Sequence, residues 1–271
     1  MCGFHLFPPM KNLSFLPLIA ALCCWLASGP VTAHPTAERP TYFELKVYHL
    51  KNARQEARVD SFLQQQYLPT MRAAGIAPIG VFKPIGNDTA ADRRIYVFTP
   101  FTSLKQWEQV GKATVPKLLA AGGSYENAAY TNPAYTRLET LFIKAFDEMA
   151  GLTAPALTAP KSERVYELRS YEGASEKIFR NKVQMFNAGG EIKLFSRLNF
   201  NAIFYGEVLF GPKMPNLMYM TSFANMPDRE AHWKAFGADP EWKKLSSLPE
   251  YQNNVSHMDI TFLRPAAYSG L

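Results

Sequence analysis

Two stretches of the chain alternate apolar and polar positions in the same way. In Thr41–Leu50, TYFELKVYHL, Phe43 and Leu45 point to one side of a β-strand, and Glu44, Lys46 and Tyr48 to the other. In Arg164–Gly173, RVYELRSYEG, Tyr166, Leu168 and Ser170 alternate in the same register with Glu167, Arg169 and Tyr171. Phe43-Glu44-Leu45-Lys46-Val47-Tyr48 is thus matched position by position by Tyr166-Glu167-Leu168-Arg169-Ser170-Tyr171.

The echo continues downstream. After the first strand, Val59, Phe62, Leu63 and Tyr67 share one face of a helix, and the strand IAPIGVFKPI follows. RRIYVFTPF then reads as a strand leading into the helix TSLKQWEQV, with Ser103 and Gln106 as a capping box, and ETLFIKAF closes the half. In the second half, Phe179, Val183 and Phe186 stripe a helix that Gly189-Gly190 stops. EIKLFSRL, FNAIFYGEVLFG and the strand NLMYMTSF come next. The helix MPDREAHWKAF has Pro227 in its first turn, where a missing N–H costs nothing, and DITFLRP closes the chain. Tyr96 and Tyr219 lie equally far from their opening strands, and each later helix carries a tryptophan, Trp107 or Trp233. Asn132-Pro133 and Asp239-Pro240 each suit the start of a further helical turn.

The order β-α-β-β-α-β therefore occurs twice, which predicts an α+β chain of two tandem ferredoxin-like units. The expected boundaries are 41–149 for the first unit, 150–163 for an Ala/Thr/Pro-rich linker, and 164–271 for the second. Each unit's helices cover one face of its sheet. The other face needs burying, by packing or edge-joining of two such sheets within one chain or in a homodimer.

Phe43, Leu45, Tyr166 and Leu168 are expected on the helix-covered face. Glu44, Lys46, Tyr48, Glu167, Arg169 and Tyr171 are then expected in the sheet–sheet interior, where charges need partners. Tyr205 and Glu207 share a strand face beside Gly206, a residue that marks a bulge or a close backbone approach. Glu167, Arg169, Tyr171, Tyr205 and Glu207 form the candidate ligand pocket. The same residues also suit internal salt bridges and tyrosine hydrogen bonds that hold the two sheets in register.

Composition narrows the function. Apolar content of 47% and charged content of 19% suit a globular chain with a core. The net charge of +6 is scattered rather than gathered into a basic run, so no nucleic-acid partner is expected. Lys11, the apolar run LSFLPLIAALCCWLA and the small-residue site Val31–Ala33 read as a signal peptide over residues 1–33, with Met10 the truer start. The exported chain would have no membrane span. Cys2, Cys23 and Cys24 all lie in that segment, so the mature chain offers no disulfide, thiolate metal site or cysteine nucleophile. His49, His232 and His257 form no metal-spaced pair, and His232 suits a helix surface better than an axial ligand or proton shuttle. Gly-rich phosphate loops, G-x-S-x-G and H-E-x-x-H are missing from the sequence, and no cofactor or metal is expected.

The run RNKVQMFNAGGEIKLFSRLNFNAIFYGEVLFGPKMPNLMYM, followed by REAHWKAFGADPEWKKL, resembles the NIPSNAP family from about Val165 to the C-terminus. The first half is similar only in outline, with an insert GKATVPKLLAAGGSYENAA after its helix. The resemblance implies a dimeric α+β barrel fold. It implies no accepted catalytic residues. It relates the chain at superfamily level to cofactor-free monooxygenases, haem-degrading enzymes and small-ligand binders. Family members in animal cells are associated with mitochondria and with recruiting other proteins.

Three functions suit the sequence. One is an exported, non-catalytic protein that binds a small molecule or a partner. Another is a cofactor-independent monooxygenase or isomerase, with Glu167 or Glu207 as general base and Arg169 holding an anionic substrate or enolate. The third is a structural or interaction module that mainly presents surface, with an exposed apolar patch as its signature.

Overall fold

A computed structural model describes residues 41–148, 152 and 154–271. The expected signal peptide lies outside these residues, as do residues 150, 151 and 153 of the expected linker. The described residues form eight strands: β1 (Tyr42–Leu50), β2 (Gly80–Pro84), β3 (Arg93–Phe101), β4 (Arg137–Ala145), β5 (Val165–Glu172), β6 (Asn201–Phe210), β7 (Asn216–Phe223) and β8 (His257–Pro265). They close into one antiparallel barrel in the order β1-β3-β2-β8-β5-β7-β6-β4. Each half contributes four adjacent strands, and two seams join the halves. Phe82 pairs with Pro265 at one seam, and Ala145 with Gly206 at the other. A barrel closed within a single chain settles where the open sheet faces are buried. It also leaves no sheet edge exposed.

Helices cover the outside. α1 (Ala53–Phe62) runs through a π-helical turn, Leu63–Tyr67, into α2 (Leu68–Ala73). The wider turn lies just before Pro69, which cannot donate to the helix ladder. α3 (Leu104–Ala120) has Ser103 as its cap, accepting from Gln106 N, and continues through Pro116. The segment read as an insert therefore begins as more helix. The second half carries α4 (Glu176–Phe186), α5 (Glu191–Arg197), α6 (Met226–Ala238) and α7 (Pro240–Ser247). Asp239 caps α7 as the Asp-Pro pair predicts. Asn132-Pro133 starts no helix, and its two carbonyls instead accept from Arg58 and Gln55 of α1. No helix among the described residues is long and apolar enough to cross a membrane.

Three apolar layers result. The barrel interior holds Phe43, Leu45, Phe82, Phe98, Tyr166, Leu168, Phe204 and Leu263. Its rings meet at centroid distances of 4.8 Å for Phe43–Phe98 and 4.6 Å for Phe98–Phe204. A second layer lies under α1–α3 and includes Tyr48, Phe62 and Val97. A third lies under α4–α7 and includes Tyr171, Phe186, Tyr205 and Tyr219.

This arrangement corrects the expected facing of the duplicated strand. Phe43, Leu45, Tyr166 and Leu168 point into the barrel. Glu44, Tyr48, Glu167 and Tyr171 point to the helices. Closure makes the barrel centre dry, so it takes the apolar side, whereas the helices bring the donors that buried charges need. The equal spacing of Tyr96 and Tyr219 also misleads. Tyr96 pairs with Val47 and joins the interior, but Tyr219 pairs with Arg169 and joins the helix side. A one-residue difference in register reverses the face.

Candidate functional site

Glu167 is completely buried between β5 and α6. Its Oε1 accepts from Arg169 Nε at 2.6 Å and Arg229 Nη2 at 3.2 Å, and its Oε2 accepts from Arg229 Nε at 2.7 Å and Trp233 Nε1 at 2.8 Å. Arg169 also donates to the Tyr171 hydroxyl at 2.9 Å, which is 2.8 Å from the Tyr219 hydroxyl. The Arg169 guanidinium lies 3.7 Å from the centroid of the Trp233 ring. Burial works against the Arg169 charge, but Tyr219, Tyr171 and Glu167 outweigh it and raise its pKa. Burial pushes the Tyr219 hydroxyl well above the ordinary tyrosine range.

Of the expected pocket, the structure brings Glu167, Arg169 and Tyr171 into direct contact. Tyr205 joins them through ring packing, 5.7 Å from Tyr219. Burial raises the Tyr205 hydroxyl too, with Glu191 adding to the effect. Glu207 stands apart, paired with Arg180 of α4. Gly206 is a close approach: a Cβ there would lie 2.5 Å from the Lys144 carbonyl, where β6 meets β4. The sequence reading missed Arg229, although it lies one helical turn before Trp233 on the same face. With four donors on one carboxylate, this cluster is a closed internal salt bridge.

The first half repeats the arrangement more loosely. Glu44 accepts from Trp107 Nε1 at 3.1 Å and pairs with Lys46 at 3.1 Å. The Lys46 ammonium lies 5.3 Å from the Tyr67 ring centroid.

One open cleft, of about 310 Å³, lies at the barrel mouth, at the ends of β1 and β5, and enters between the halves. Its inner wall is apolar, with Leu45, Val47, Leu141, Leu168 and Met218. Its polar groups come from both halves. Asn216, fully buried at the start of β7, donates to Ser170 Oγ at 2.8 Å, and its Oδ1 has no partner among the described residues. His49 continues the inward face of β1 beyond Val47. Its Nδ1 lies 3.0 Å from Asp92 Oδ2, while Nε2 has no hydrogen-bond partner among the described residues and is 3.7 Å from Glu139 Oε1.

Arg94 Nε donates to the same Asp92 oxygen at 2.8 Å. Burial opposes the Asp92 charge, but the bonds from Arg94 and His49 prevail and lower its pKa. Across the mouth, Lys213 bonds Asp259 and holds its carboxyl below the ordinary range. Among the described residues, Glu172, His257 and Asp259 bring ligand atoms within 4.8 Å of one another at this rim, but Lys213 already occupies Asp259. His232 Nδ1 donates to the Asp228 carbonyl of its own helix at 2.8 Å, as a helix-surface histidine does.

The NIPSNAP family model matches residues 166–270. No curated protein matches the chain. Among solved structures, a candidate monooxygenase from Lactobacillus acidophilus is similar over 83% of this chain and 94% of its own, at 13% identity and TM-score 0.54. An anthrone oxidase-like protein is similar over 85% of this chain and 93% of its own, at 10% identity and TM-score 0.50. A NIPSNAP-like domain protein from Burkholderia xenovorans is similar over 40% of this chain and 89% of its own, at 20% identity and TM-score 0.36. The first two likenesses agree with the α+β fold and its closed antiparallel barrel, and fold by itself carries no activity.

Proposed function

We propose, from the NIPSNAP match over residues 166–270, that this chain is an exported NIPSNAP-type protein that binds a small molecule in its barrel mouth without transforming it. Asn216 carries this reading. A buried amide oxygen left unpaired costs about 1–3 kcal/mol, and a ligand N–H or O–H in the adjoining cleft would recover that cost. The apolar wall would take the ligand's body, and Arg94, His49 and Lys213 would contact its polar end. The two halves, 41–149 and 164–271, are proposed to be copies of one ferredoxin-like unit, with the second nearer the family pattern. The export reading rests on the signal-like residues 1–33, and N-terminal sequencing of the exported protein should start at His34.

A thermal-shift screen of small polar aromatics and amphiphiles tests the binding reading. Compounds that stabilise the native protein should lose their effect with Asn216→Leu. Stabilisation that persists in this variant would overturn the assignment.

One observation favours a second reading, an enzyme that needs no cofactor. Asp92 holds His49 by Nδ1 and leaves Nε2 without a hydrogen bond among the described residues, 3.7 Å from Glu139 Oε1, an arrangement that suits a general base. The four hydrogen bonds that Glu167 accepts weigh against it in that role. Turnover abolished by His49→Gln, with binding retained, would decide for this reading.

A further inference from the structure

The two halves can be superimposed through their strand registers. Tyr42 pairs with Phe101 as Val165 pairs with Phe223, and each following helix is capped two residues later, by Ser103 or Asn225. The third residue after each cap closes back in the same way: Gln106 accepts from Thr102 N at 2.7 Å, and Asp228 accepts from Ala224 N at 2.9 Å. Counting on from the caps, Trp107 of α3 stands where Arg229 stands in α6. Each donates to the glutamate of its own half, Glu44 or Glu167. The next turn brings Gly111 to the position of Trp233.

That exchange leaves a gap. Trp233 covers Arg169, donates to Glu167 and packs 5.1 Å from the Phe200 ring. In the first half a Cβ on Gly111 would have nothing within 4 Å among the described residues, and Gly111 lines a cleft of about 270 Å³. Glu44 and Lys46, the counterparts of Glu167 and Arg169, form its floor, and Tyr67, Trp107 and Leu118 its sides. Glu44 accepts one bond on each oxygen from the described residues, so it retains acceptor capacity that Glu167 has used. Tyr48, the counterpart of Tyr171, is 3.4 Å from the Tyr125 hydroxyl instead of serving the cation beside it.

We propose that this cleft under α3 is a ligand site, separate from the barrel mouth, for a neutral planar bicyclic heteroaromatic molecule carrying a ring N–H. The ligand takes the place that Trp233 fills in the other half. Its ring lies over the Lys46 ammonium, a cation–π contact, and its N–H donates to Glu44. Filling is supplied by the side chain in one half and by the ligand in the other.

Indole is the probe, titrated calorimetrically into the purified protein. Indole should bind one site per chain. 1-Methylindole, which lacks the N–H donor, should bind about ten-fold more weakly. Gly111→Trp should abolish binding and keep the far-ultraviolet circular dichroism of the parent, since α6 already carries that residue in the equivalent turn. Gly111→Leu serves as a second blocking variant if the first does not fold, and should also abolish binding. Absence of indole binding by the parent, or unchanged binding in the folded blocking variants, would overturn the proposal. A dimer of the parent that Gly111→Trp dissociates would overturn it too, because a second copy would then be the occupant.

Discussion

At the scale of single residues, burial and partner count separate structure from site. Glu167 was legible in the sequence as a charged residue on an alternating strand, and of its partners only Arg169, two residues along the same face, was. Arg229 and Trp233 arrive from a helix more than sixty positions away, so only the fold shows that the carboxylate is saturated. Asn216 and His49 carried the opposite difficulty. Asn216 opens a mostly apolar strand, and His49 looked like an isolated histidine. The barrel brings their strand ends to one mouth, where the proposed site lies. Replacing Glu167 by Gln leaves Arg169 and Arg229 without their buried counter-charge and should cost about 3–5 kcal/mol in a urea unfolding experiment. A loss below about 1 kcal/mol would show the cluster to be dispensable for stability and restore Glu167 as a candidate for chemistry.

At the scale of elements, the alternation and the caps were readable and the facing was not. Period-two patterning identifies two faces, but which is inward depends on what covers each. Here, closure reserved the inside for Phe43, Leu45, Tyr166 and Leu168. Likewise the spacing of Tyr96 and Tyr219 looked equivalent until pairing register divided them. The seam between β4 and β6 rests on a glycine. Gly206→Ala would push a methyl against the Lys144 carbonyl and should cost about 1–3 kcal/mol, read as a lower urea midpoint with an unchanged slope.

A second element contact is pH-dependent. Glu56 of α1 accepts from Lys83 of β2 at 2.8 Å and from Arg93 of β3 at 2.9 Å. Burial pushes the Glu56 pKa up, but these two bonds prevail and lower it from the ordinary 4.5. Its stabilising contribution is therefore complete above that ordinary value and is lost as pH falls through the lowered one. Stability measured by urea unfolding across the acid range should fall less steeply in Glu56→Gln than in the parent. Identical acid slopes would contradict the pairing.

At the scale of the whole molecule, closing two four-stranded halves into one barrel creates two kinds of site. Two sheets, each with one uncovered face, close on one another, and the dry interior is the result. The helix-side clusters belong to one half each, but the mouth is built from both, with Leu45 and His49 facing Leu168 and Asn216. A ligand held there would depend on the intact barrel. The most direct test is the native mass spectrum of the protein purified without denaturation from cells that express it, recorded beside Asn216→Leu. The parent should retain a discrete small molecule that mild activation releases, and the variant, equally folded, should not. The same adduct at the same occupancy in both proteins would contradict a binding site at the barrel mouth.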